Sequence, residues 1–82
     1  MNIYVVSPPN ARARDLAFLP DAFVVHLEDG RSLTVRIEWF PRLRDATPEQ
    51  RARWEFIGPG IGIHWPDLDE DISVAGLLGL PD

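Results

Sequence analysis

The sequence predicts an α+β domain: a small antiparallel sheet of about four strands with two short helices. Three observations lead there. Two runs alternate apolar and polar residues with period two on either side of Asp29-Gly30, the pattern of a β-hairpin. Thr47-Pro48-Glu49-Gln50 joins an N-cap, a proline at the first helical position and a capping-box glutamine. Strands and helices do not follow a regular βαβ order, which favours an antiparallel sheet over a parallel one.

Taken in order, Ile3–Val6 reads as a short strand, broken by Ser7-Pro8-Pro9-Asn10. Arg12 to Leu19 is weakly patterned and reads as a connecting arm or irregular strand. Residues 1–19 are thus expected to form an N-terminal strand or arm, and 20–82 a single domain. Phe23, Val25 and Leu27 form the first phase of the hairpin. Leu33, Val35, Ile37 and Trp39 form the second.

The hairpin's register follows from burial. A two-residue loop sets Phe23 opposite Arg36 and mixes the faces. The three-residue loop Glu28-Asp29-Gly30 sets Val25 opposite Leu33 and Phe23 opposite Val35, gathering the apolar residues on one side. A one-residue slip inverts every side chain, so the second arrangement is expected, with Gly30 left-handed after a type I turn.

Pro41 ends the second strand, since proline cannot continue a central ladder. A short helix runs from Pro48 to about Arg53 or Trp54, with Glu49 and Arg53 spaced for an i, i+4 ion pair. Trp54, Phe56 and Ile57 form a strand, Gly58-Pro59-Gly60 a turn, and Ile61, Ile63 and Trp65 the next strand. Asp71 or Ser73 caps a last helix from Val74 to about Leu78, stopped by Gly79 and Pro81.

Composition narrows the function. The chain has 82 residues, 45% hydrophobic and 26% charged, with a net charge of −5 and no cysteine. One domain of this size buries about 60–70% of its unfolded surface. Without disulfides or a signal-like N-terminus, the cytoplasm is the expected compartment. No apolar run reaches the ~20 residues of a membrane span, so no membrane association is expected. All eight basic residues are arginines, and none follows Arg53. Net acidity without clustered lysine and arginine argues against direct nucleic-acid binding. Six acidic side chains follow Trp54. Either the two halves neutralise each other across the fold, which is favoured, or an acidic face meets a basic partner.

The densest stretch is Trp54 to Asp71, and each chemical reading of it can be tested by position. Asp67, Asp69 and Asp71 have the opening spacing of a calcium loop, but Ile72 stands where that loop needs glycine and Leu78 where it needs glutamate. A looser metal or ligand site of His64, Asp67, Asp69 and Asp71 is the alternative. The favoured reading is carboxylates capping the last helix. Gly58, Gly60 and Gly62 lack the third glycine and the following helix of a dinucleotide loop. They read instead as a bare strand face approached closely by Trp39 or the last helix. His26 and His64 fall on the off-core phase, and Ser7, Ser32 and Ser73 lack an elbow motif. No catalytic residues and no cofactor are expected, and a non-enzymatic role is favoured over an enzyme of unknown reaction. Trp39, Trp54 and Trp65 fall on the apolar phase and are expected in the core. Phe40 is out of phase with Trp39, however, so Trp39-Phe40-Pro41-Arg42-Leu43 is the best candidate for an interface.

Asp29-Gly30-Arg31, Trp39-Phe40-Pro41-Arg42-Leu43, Ala46-Thr47-Pro48-Glu49-Gln50-Arg51, and Gly62-Ile63-His64-Trp65-Pro66 followed by Leu68-Asp69-Glu70-Asp71-Ile72-Ser73-Val74 occur in that order. This ordered set, over roughly residues 20 to 80, resembles the bacterial family called domain of unknown function 2442. The resemblance implies a small α+β domain with no established catalytic residues. In relatives it stands alone or beside a DNA-binding helix-turn-helix, often with a neighbouring gene for another short protein. It therefore implies an antitoxin-like, non-enzymatic interaction module. Another small protein is the expected partner, and a homo-oligomer stays open. Phe40, Arg42 and Arg44 are the expected contact residues, with the acidic turn Asp67 to Asp71 as a second contact.

Overall fold

The computed structural model describes residues 12–79. The strand expected at Ile3–Val6, Pro81 and the last acid, Asp82, lie outside them. Six strands form two three-stranded antiparallel sheets rather than one sheet of four. The first holds β1 (Ala13–Phe18), β2 (Ala22–Leu27) and β3 (Ser32–Arg36), in that order across the sheet. The second holds β4 (Glu55–Ile57), β5 (Gly62–Trp65) and β6 (Glu70–Ser73). Between the sheets the chain forms α1 (Pro41–Arg44) and α2 (Pro48–Ala52), and α3 (Val74–Leu77) follows β6. The stretch Arg12 to Leu19 contributes β1, a full strand with a register irregularity between Ala13 and Asp15.

The hairpin register is the one that burial selects. Phe23 pairs with Val35 and Val25 with Leu33, while Arg36 faces Ala22. Gly30 N–H donates to the Leu27 carbonyl at 3.1 Å, closing the turn, and Gly30 has φ of 92°. Leu16 and Phe18 join the same face opposite Val25 and Phe23.

β3 stops sooner than its alternation predicts. The last ladder bond runs from Ile37 N–H to the Asp21 carbonyl at 3.1 Å, and Ile37–Trp39 then coils into a 3-10 turn. Ile37 stays in the core while Trp39 turns out, 66% exposed. The turn breaks period two, so Trp39 is not a core residue. Phe40 turns inward instead, its ring 6.0 Å from that of Phe23. Pro41 does not end the strand, which has already stopped at Arg36; it opens a helix, filling the N1 position of α1.

The two sheets pack through Trp65, which is fully buried. Its ring stands edge-on to Phe18 and Phe23, with centroids 6.5 and 6.1 Å away. Its indole N–H donates to the Arg51 carbonyl at 3.0 Å, the acceptor a buried tryptophan needs. The Arg51 guanidinium reaches the carbonyls of Leu43 and Arg44 at 2.7 and 2.8 Å, closing the C-terminal end of α1. One residue thus ties α1, α2 and β5 together. Trp54 is half-buried against Phe56, centroids 4.9 Å apart.

α2 begins as predicted, with Thr47 and Gln50 exchanging both capping-box hydrogen bonds. Two other local expectations are replaced. Arg53 pairs across the fold with Asp67 at 3.0 Å rather than along the helix with Glu49. The neighbour that requires a glycine face is β1, not Trp39 or α3: Ala13 N–H donates to the Gly60 carbonyl at 2.8 Å. A side chain on Gly60 would place Cβ 2.2 Å from the Ala13 oxygen. At Gly62 the close neighbours are Ile57 and the Ile72 carbonyl.

Candidate functional site

The acidic stretch before α3 is mostly a strand. Ser73, not a carboxylate, caps α3, its hydroxyl accepting from Gly76 N–H. Val74 N–H donates to the Ile61 carbonyl at 3.0 Å. This fixes the alternation along β5 and β6: Ile63–Ile72 is a hydrogen-bonded pair, and His64–Asp71, one step on, is not. Side chains stand closest at such non-hydrogen-bonded pairs, and the His64 ring nitrogen Nδ1 meets the Asp71 carboxylate directly. The same logic operates in the first sheet, where His26 stands opposite Ser32, Nδ1 2.9 Å from its hydroxyl. Both histidines are half-buried on the outer faces of their sheets.

Glu55 on β4 stands opposite His64 from the other side. A row of Glu55, His64 and Asp71 therefore crosses the outer face of the second sheet. The Asp71 hydrogen bond is the main cause that raises His64 above the ordinary histidine value of 6.5. Partial desolvation opposes it, and the charges of Asp71, Glu55 and Asp69 reinforce it. A raised value means that the folded state holds the proton more tightly than the unfolded chain. The pair's contribution to stability is then full below about pH 6.5 and is lost as pH rises through the raised value. Relative to Asp71→Asn, the wild-type urea midpoint is expected to fall across that window. Parallel midpoints from pH 5 to 9 would contradict the pairing.

The candidate metal or ligand residues do not converge. His64 and Asp71 stand together. Asp67 is drawn to Arg53, and Asp69 turns its carboxylate to solvent, 98% exposed, from a left-handed backbone of φ 50°. Among the described residues, no group of three or more His, Cys, Asp or Glu is placed to hold a metal ion.

The candidate contact residues lie beside this acidic turn. The Arg42 guanidinium donates to the Asp69 carbonyl, joining α1 to the turn before β6. Arg44 pairs with its neighbour Asp45 at 3.0 Å. With Arg53–Asp67, the Arg42 contact lets the basic and acidic halves of the chain meet. Phe40 walls a shallow groove of about 260 Å³ with Ile72, Gly76, Leu77, Asp71 and Ser73. Its lining is mainly apolar, and Asp71 is the charged residue among those named. Trp39, the residue before Phe40, is among the exposed large apolar side chains, with Leu19, Ile57 and Ile61. Sequence reasoning placed Trp39 in the core, and only its phase conflict with Phe40 signalled otherwise. Glu55 beside His64 and the groove residues Ile72 and Leu77 depend on strand register and had no local signal.

Residues 13–80 match the family model described as "Protein of unknown function (DUF2442)". The crystal structure of a protein of unknown function from Rhodospirillum rubrum is similar, with 30% identity and a TM-score of 0.72, covering 84% of this chain and 87% of that one. The solution NMR structure of an uncharacterised protein from Chromobacterium violaceum is also similar, with 30% identity and a TM-score of 0.71. That likeness covers 83% of this chain and 64% of the other, so it spans less than two thirds of the Chromobacterium violaceum protein. No curated protein matches the chain. No helix among the described residues is long and apolar enough to cross a membrane.

Proposed function

Since the chain belongs to the DUF2442 family of proteins of unknown function, we propose that it is a non-enzymatic interaction module, binding a protein through the surface around Trp39. One observation carries this reading. A tryptophan 66% exposed stands next to the half-buried Phe40 and its groove, with Arg42 and Arg44 on the following helix. Tryptophan and arginine are the residues that concentrate binding energy at protein interfaces. A single exposed apolar side chain is ordinary, but one beside an apolar groove extends it into a patch, and such patches mark contact sites. The acidic turn Asp67 to Asp71, tied to Arg42, forms the adjoining part of the surface. The metal or small-ligand alternative has less support, because its four residues are spread among separate partners.

A photoreactive phenylalanine at position 39, introduced in living host cells, tests the reading. A covalent adduct with a protein is expected from position 39. None is expected from position 34, an exposed residue within β3 of the first sheet. Equal yields from both positions, or no protein adduct from position 39, would contradict it.

A further inference from the structure

We propose that the groove beside Phe40 receives Trp39 from a second copy of this chain, in a two-fold symmetric dimer. The inference rests on the reading of Trp39 as a contact residue and names its partner. Three observations favour a second copy over an unrelated protein.

The first is placement. A two-fold interface brings the same patch together twice, so projection and receptacle must lie side by side on one molecule. Trp39 and Phe40 are consecutive; one projects into solvent and the other walls the groove. The second is chemistry. The apolar lining of Phe40, Ile72 and Leu77 suits an indole ring, and a buried indole N–H needs an acceptor. Asp71 is among the lining residues, and its carboxylate, beside His64, is two-thirds exposed.

The third is charge. The patch is mixed in sign: Arg42 and Arg44 follow Trp39, while Asp71 lines the groove and Asp69 and Glu70 precede it in the chain. A uniformly basic partner meets the arginines, and a uniformly acidic one meets the carboxylates. A rotated copy offers each sign to its opposite. Within the molecule the arginines are held by exposed contacts, Arg42 with the Asp69 carbonyl and carboxylate and Arg44 with Asp45, and exposed ion pairs bind weakly enough to exchange partners.

Sedimentation velocity of the purified full chain over a concentration series tests the dimer. The wild type is expected to shift from monomer to dimer as concentration rises. Trp39→Ala is expected to weaken association by about thirtyfold or more, the loss typical of truncating a hot-spot tryptophan. Asp71→Arg is expected to be monomeric as well. A mixture of the two variants keeps one intact groove and one intact tryptophan, so one of the two contacts can form. It should associate more strongly than either variant alone. Thermal melting of each variant confirms that it is folded.

A wild type that stays monomeric throughout, or a dimer indifferent to Trp39→Ala, overturns the second-copy proposal. The cross-linker at position 39 separates this failure from failure of the broader reading. An adduct of twice the chain mass supports the dimer. An adduct with a different protein removes the dimer and leaves the contact surface standing. No adduct removes both.

Discussion

Replacing Trp65 with alanine is expected to cost about 3–5 kcal/mol of stability, the range for deleting a large aromatic from a packed core. Domains of this size are stable by only about 5–15 kcal/mol in all, so the variant should sit near its unfolding threshold. Two losses combine at this site. The ring fills the space between the sheets against Phe18 and Phe23, and alanine leaves a cavity there. The Arg51 carbonyl also loses the indole donor. Trp65→Phe separates the terms, since it keeps most of the ring volume and loses the hydrogen bond. Urea unfolding should rank wild type above Trp65→Phe and Trp65→Ala lowest. A Trp65→Ala loss below about 1 kcal/mol, smaller than any such core truncation, would show that the sheets do not pack through this residue.

The second large effect is expected at Gly60. It has φ of 99°, and an added Cβ falls 2.2 Å from the Ala13 carbonyl oxygen and 3.1 Å from the Ala13 nitrogen. Those are backbone atoms of β1, which cannot turn aside as a side chain can. Relief requires breaking the bond from Ala13 N–H to the Gly60 carbonyl and shifting β1 away from the second sheet. Gly30 supplies the control. Its φ is 92°, but a Cβ added there would meet nothing within 4 Å. Gly30→Ala should cost about 1–2 kcal/mol from the left-handed backbone alone. Gly60→Ala should cost that and a further ~1–3 kcal/mol of overpacking. Equal losses at the two glycines, by urea unfolding, would mean that β1 does not press on the β4–β5 turn.

Local regularities in the sequence are legible wherever one physical rule acts alone. The β2–β3 register follows from burial of a period-two pattern, and the start of α2 from its capping box. The misreadings occur where two rules compete. Pro41 signals the end of a strand, but proline also suits the first position of a helix, and that second role makes α1. The phase of Leu33, Val35 and Ile37 extends to Trp39, but the chain coils at Ile37 and the rule ends there. β6 holds a single core residue, Ile72, among Glu70, Asp71 and Ser73. Such a strand is hard to tell from a helix cap without its partner strand. The site is legible in its residues but not in their grouping. His64 and Asp71 both stand out in the sequence, yet their contact depends on which β5–β6 pairs are hydrogen-bonded. Gly60 marks a place of close approach, but the approaching strand is more than forty positions away in the chain.

On the proposed function, Trp39 serves contact with another molecule and not the stability of this one. The deciding quantity is the unfolding free energy of Trp39→Ala, taken at a dilution where the chain is monomeric so that association adds nothing. A value within about 0.5 kcal/mol of wild type is predicted, as for a surface substitution. A loss of several kcal/mol, comparable to that of Trp65→Ala, would make Trp39 a structural residue and contradict its role in contact.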